Sequence, residues 1–235
     1  MLFYKGLQEY IAEEERKLQI LKESSVPERG VITKVLLSDK TKTRESHLKH
    51  YSLTHEVETL TIDTRGIEGD RHYGHYTYSG GREKVLYKKG TPIAQSRHLF
   101  AVSLHDCHVL SEKMGVEITP ELLGANLVIE CTDKKEYSLS LLPHRTYLCI
   151  DVINADKPSR SPVATLIHHV QQQGCGVTGA GIAEFYKDPS LTAKFVQNSK
   201  THRGIVCRVE YPVAPAARIT KGQSVFFRFP QGISP

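Results

Sequence analysis

The chain has 235 residues, 39% hydrophobic and 24% charged, a composition that supports one sizeable globular core without a second large domain. Its net charge of +5, with twelve histidines in addition, suits an anionic small molecule. The basic residues are too diffuse for nucleic acid, and the absence of Trp removes a base-stacking platform. No stretch approaches 18 consecutive apolar residues, and the N-terminus lacks a basic-then-apolar leader layout, so the sequence predicts a cytoplasmic chain with no membrane span. Cys107, Cys131, Cys149, Cys175 and Cys207 are odd in number and form no CxxC pair, against both a disulfide framework and a zinc ribbon.

In chain order, residues 2–24 place Leu2, Phe3, Leu7, Tyr10, Ile11, Leu18 and Leu21 at helical spacing, with an acidic run opposite. Pro27 and Gly30 stop that helix. Residues 1–28 read as a helical extension that packs on the main domain or joins two copies as a homo-oligomer. From Val31 the period changes to short β-rich runs: VITKVLL, VETLTID, HLFAVSL, NLVIE, YLCIDVI, GIVCRVE and SVFFRF. Helices are expected over 104–114, with Asp106 and Glu112 facing solvent, over 162–173, opened by Ser159 or Ser161 and Pro162, and over 190–198, capped by Asp188 or Ser190. Strands that mostly follow strands predict a mainly β chain with a few helices (α+β), a barrel over 29–235 rather than a doubly wound sheet. The long loops 38–56 and 73–96 are candidates for function.

Four stretches carry chemistry. GIEGDRH (66–72) offers Glu68, Asp70 and His72 to a metal, with His75 following, but the guanidinium of Arg71 competes with a cation there. A tight glycine turn or an anion-facing loop fits better, and no metal is expected. HDCH (105–108) sets two histidines at i, i+3 without a third ligand. GCGVTG (174–179) matches G-x-G-x-x-G, but after IHHVQQQ it reads as a helix C-terminus and loop rather than a strand-to-helix turn, with Cys175 a candidate exposed, reactive thiol. KPSRSPV (157–163) holds Ser159 and Arg160 before a predicted helix, either as a plain capped start or as an oxyanion contact.

Read together, these stretches resemble the MOSC domain family, named for the C-terminal part of molybdenum-cofactor sulfurases. GIEGDRH resembles the family's G-x-x-G-D-R-H loop. The stretch around Arg97 (89–106) resembles its Arg-before-strand segment, and LLGANLVIE its G-x-N-L-V motif at Gly124 and Asn126. SLLPHRTYLCI, HRGIVCRVE and RITKGQSV follow in family order. The resemblance implies a β-barrel with a pocket for the molybdenum cofactor (molybdopterin) or a similar sulfur- or phosphate-bearing anion. Asp70, Arg71, Arg97, Asn126, Arg160 and Arg203 would bind it, with His72 and Ser159 as candidate catalytic residues in sulfur transfer or C–S chemistry. The family's usual Cys falls on Ser159, or on Val163 in a shifted alignment, and Gln223 replaces a family carboxylate. A sulfur relay would therefore need Cys175 or Cys207. Pyridoxal phosphate is expected only on a separate protein, with a sulfur donor or molybdoenzyme as partner. The competing reading is a non-catalytic binding or interaction module with a degenerate pocket.

Overall fold

The computed structural model describes residues 27–38, 54–80, 85–134, 136–172 and 174–229; the helix expected over 2–24 lies outside them. Among the described residues the strands are β1 (Arg29–Leu37), β2 (His55–Glu56), β3 (Thr59–Asp63), β4 (Gly66–Ile67), β5 (Tyr76–Tyr78), β6 (Pro92–Ala94), β7 (Leu99–Val102), β8 (Leu127–Cys131), β9 (Tyr147–Ile153), β10 (Ala164–Gln171), β11 (Ile205–Tyr211), β12 (Ala217–Thr220) and β13 (Gln223–Arg228). The helices are α1 (Leu104–Met114), α2 (Pro120–Leu123), α3 (Gly176–Phe185) and α4 (Ser190–Asn198).

Seven strands close a barrel. β13, β9, β10, β11, β7, β8 and β1 pair in that order, and β1 returns to β13, so no barrel edge is left open. All these pairs are antiparallel except β7–β8, which α1 and α2 connect as a crossover. Strand β2 extends the far end of β1, the sheet β12-β3-β4 adds Leu60, Ile62, Ile67 and Ile219 to the barrel core, and β5–β6 forms a separate ribbon.

Strands β7 and β8 read as continuous apolar runs because both their faces are covered. Leu99, Ala101, Leu127 and Ile129 point into the barrel, while Phe100, Val102 and Val128 meet the helices. On the helix side, Cys107, Leu110 and Met114 of α1 and Leu191 and Phe195 of α4 complete that second core. Each fully buried Leu or Phe contributes about 1.5–3 kcal/mol.

Helices α1 and α4 occupy the spans expected from sequence, but α4 has Pro189 rather than Asp188 or Ser190 at its N-cap, and three further local expectations change. Asp106 is fully buried, not solvent-facing: its side chain forms a capping box with Ser103 and accepts from the hydroxyls of Ser138 and Ser140. Within the span 162–173, expected as a helix, residues 164–171 form strand β10 instead. Ser159 and Ser161 do not cap it; the Ser161 N–H instead donates to Ser159 Oγ at 3.0 Å. Ala164, Leu166 and His168 alternate inward along β10, so a buried histidine sits where period-two patterning would show an apolar residue. A bulge between His168 and Val170 breaks the alternation again. Helix α3 begins at Gly176, inside the stretch 174–179 that reads in sequence as a glycine-rich helix C-terminus and loop. Gly179 suits the place, because a Cβ there would lie 2.8 Å from the Thr192 carbonyl oxygen of α4.

Candidate functional site

A cavity of about 480 Å³ opens between the loop after β4, the β5–β6 ribbon, the C-terminal end of β10 and the start of α3. Arg71, His72, Arg97, His169, Cys175 and Thr178 all line it. The expected residues Arg71, His72, Arg97 and Cys175 are thus brought together, although they come from three separate stretches of sequence.

The GIEGDRH loop builds its own support. Asp70, 1% exposed, accepts from the His72 N–H (2.8 Å) and pairs with His72 Nδ1 (3.1 Å) through one oxygen. Its other oxygen accepts from Asn126 Nδ2 (3.1 Å) and the Ser38 N–H (3.4 Å). Burial pushes the Asp70 carboxyl up, but the bonds and charges of His72, with the nearby Arg71, outweigh it and hold the group below the usual carboxylate range. Asn126 also accepts from the Phe100 N–H and donates to the Leu36 carbonyl, so it ties the loop to β7 and β1 instead of lining the cavity.

His72 answers to the same arrangement. Burial drives its pKa down to about 4; the Asp70 bond resists, while Arg97 and Arg71 add to the fall. At neutral pH the ring is uncharged. The proton on Nδ1 is assigned by the Asp70 contact, which leaves Nε2 as the ring's acceptor nitrogen. A carboxylate fixing one imidazole nitrogen so that the other can act is the layout of an oriented base or ligand.

Cys175 is the N-cap of α3, with extended backbone (φ −133°, ψ 148°), and its Sγ lies 3.3 Å from Thr178 Oγ1. Beneath it runs Arg203, 1% exposed, whose Nη2 donates to Thr178 Oγ1 at 2.6 Å and sits 4.0 Å from Cys175 Sγ. The guanidinium packs over Phe195 (5.1 Å) and Phe100 (5.9 Å). Its backbone is pinned too: the N–H groups of Arg203 and Gly204 donate to Ser140 Oγ at 3.0 and 2.7 Å, and Ser140 donates to Asp106. Gly204 holds φ +76°, and a Cβ there would lie 2.2 Å from the Ala101 carbonyl oxygen. A guanidinium and a helix start beside one sulfur favour negative charge on it.

Other expected residues stand elsewhere. Ser159 and Arg160 are exposed on the β9–β10 connection, before β10, whereas the cavity lies beyond its other end, roughly 25 Å of strand away. The Ser159 N–H donates to Asp151 Oδ2 at 2.6 Å. Half-buried Val163 packs against the barrel core, and Gln223 accepts from the Thr220 N–H in a turn. Cys207 is fully buried in the barrel, where burial pushes its thiol far up. His108 pairs loosely with Glu112 on the surface of α1, and no group of three His, Cys, Asp or Glu side chains gathers among the described residues.

His169 and Gln172 are hidden in sequence because the span 162–173 reads as a helix, and Thr178 because GCGVTG reads as a helix C-terminus and loop. The bulge sets His169 into the wall; burial, then Arg208 and His144, lower its pKa. The signal that could have found them was G-x-G-x-x-G itself, which does mark a strand-to-helix turn. The dinucleotide-binding reading still fails, for a different reason from the one sequence suggested: β10 is antiparallel to both its neighbours.

No protein-family model matches the chain. It is 33% identical over 168 residues to YuaD of Bacillus subtilis (strain 168), a protein provisionally named for metal-sulfur cluster biosynthesis; the match covers 69% of this chain and 78% of YuaD. A crystal structure of the Bacillus subtilis YuaD protein superposes with a TM-score of 0.68 at 26% identity, covering 86% of this chain and 98% of that one. A crystal structure of YiiM from Geobacillus stearothermophilus shares the fold at TM-score 0.50 and 13% identity, covering 85% and 75%. With this barrel, these motifs and that extent of identity, the chain belongs to the family of the Bacillus subtilis YuaD protein.

Proposed function

We propose that this protein is a MOSC-type pocket protein that binds an anionic ligand of the molybdenum-cofactor class and carries sulfur on Cys175. The observation that supports the reading is the placement of Cys175 in the same cavity wall system as Arg71, His72 and Arg97, with Arg203 beneath it. The donors fit such a ligand. Arg71 and Arg97 are suited to phosphate and pterin oxygens, and the apolar edges of Ile93, Val170 and Val177 suit a flat ring. When bound, the cofactor would supply a redox-active metal held by sulfur. The metal-sulfur naming of YuaD points to related chemistry.

Cys175 would take the role that the family pattern gives to a thiol at Ser159. Its sulfur attacks the outer sulfur of a donor protein's persulfide, R–S–SH. The new S–S bond forms as the donor's S–S bond breaks, leaving Cys175–S–SH and R–S⁻, with no net oxidation. Neutral His72, held by Asp70, would take or return a proton. Incubation with a persulfide donor should label Cys175 among the five thiols, and Cys175→Ser should abolish the label. Molybdopterin retained on purified protein should fall at least tenfold in Arg71→Ala. Label on another cysteine, or unchanged retention, would defeat the corresponding half of the reading.

A further inference from the structure

Gln172, at the end of β10 and 3% exposed, is where two guanidiniums meet. Its amide orientation follows from its partners. With the oxygen turned toward the cations, Oε1 accepts from Arg97 Nη1 and Nη2 at 3.1 and 3.2 Å and from Arg203 Nη1 at 3.2 Å. Its backbone N–H donates to the Gly204 carbonyl at 3.1 Å, so the amide stands on a fixed strand end. Arg203 is equally fixed, through Ser140 and the two phenylalanine rings. Arg97 is half-buried and borders the cavity.

One carbonyl oxygen offers two lone pairs, and here three N–H groups share them. From these positions we infer that the Gln172 oxygen is an internal stand-in for a ligand oxygen, and that it sets the pocket's selectivity for oxyanions. A ligand reaching Arg97 must compete with this amide. A neutral hydroxyl or carbonyl is no better an acceptor than the amide and gains nothing by exchange. A sulfate-, phosphate- or carboxylate-type oxygen makes a shorter, charge-assisted bond and displaces it. Gln172 is therefore a specificity-determining residue, and the inference rests on the anion-pocket reading above.

The test titrates the ¹⁵N-labelled full chain with sodium sulfate at constant ionic strength, reading Kd from the backbone amides of Cys175 and Gly176. Gln172→Met keeps the shape and removes the competing oxygen, so sulfate should bind on the order of tenfold tighter. Gln172→Glu puts a carboxylate on the same guanidiniums, so sulfate should bind on the order of tenfold more weakly. Opposite shifts in the two variants are the signature, since a general loss of packing would move both the same way. A Met variant within twofold of wild type, or both variants shifting together, overturns the role of Gln172. Equal sulfate affinity in wild type and Arg97→Gln would instead overturn the anion pocket itself.

Discussion

Lowering the pH should destabilise this fold through one ring, His72. Its folded pKa of about 4 lies below the ordinary histidine value of 6.5, while 22% of the side chain stays accessible. Below 6.5 the unfolded chain takes up a proton that the folded chain refuses until about pH 4. The unfolded state then binds more protons, so stability falls as pH drops through that window. The gap of about 2.5 units is worth at most about 3 kcal/mol, and roughly 2 kcal/mol of it is lost between pH 8 and pH 5. Urea unfolding of wild type and His72→Gln at both pH values isolates the contribution, because the other histidines cancel in the difference. Wild type should lose roughly 2 kcal/mol more than the variant. Equal losses, within about 0.5 kcal/mol, would mean that His72 is not held neutral and that the Asp70–His72 arrangement has been misread.

Iodoacetamide should modify Cys175 first, because Cys107, Cys131, Cys149 and Cys207 are buried and burial raises each of those thiols; earlier modification of any of the four, by peptide mass, contradicts this. Ser140→Ala should cost about 2–4 kcal/mol in urea unfolding, since two buried amides lose their acceptor and Asp106 loses a donor; a loss below about 1 kcal/mol would show that the network relaxes at little cost. Gly204→Ala should destabilise by more than Ser140→Ala, given the 2.2 Å approach to Ala101 and the positive φ, and a melting temperature near wild type would refute the clash. Ser159→Cys should not create a second persulfide carrier, as that position faces solvent away from the cavity; donor-dependent label there would place the chemistry elsewhere.

The barrel was legible because most of its strands advertise themselves. LVI within NLVIE and LFAV within HLFAV are unbroken apolar runs, as strands covered on both faces favour, and YLCIDVI and SVFFRF are rich in β-branched and aromatic side chains. Strand β10 was not, because His168 occupies an inward position and pays for it with a bond to the Pro143 carbonyl, which no local pattern records. The site followed the same division. Asp70, Arg71 and His72 stand in one short glycine-framed motif and could be picked out. Gln172 and Thr178 matter through Arg97 and Arg203, partners about 25 to 75 positions away, and only tertiary pairing discloses them. Arg203, expected from the family resemblance as a ligand contact, is instead the largest fully buried side chain among the described residues, kept there by two rings and a hydroxyl relay.

Barrel closure also constrains how the chain is made. Val31 of β1 pairs with Ser224 of β13, partners roughly 190 residues apart, so the final seam forms only after nearly all of the sequence has left the ribosome. Until then β1 and β9 each present an unpaired edge to whatever is nearby. Nascent or C-terminally clipped chains would therefore be the species most prone to sticking to one another, and the ones on which chaperones have the longest time to act.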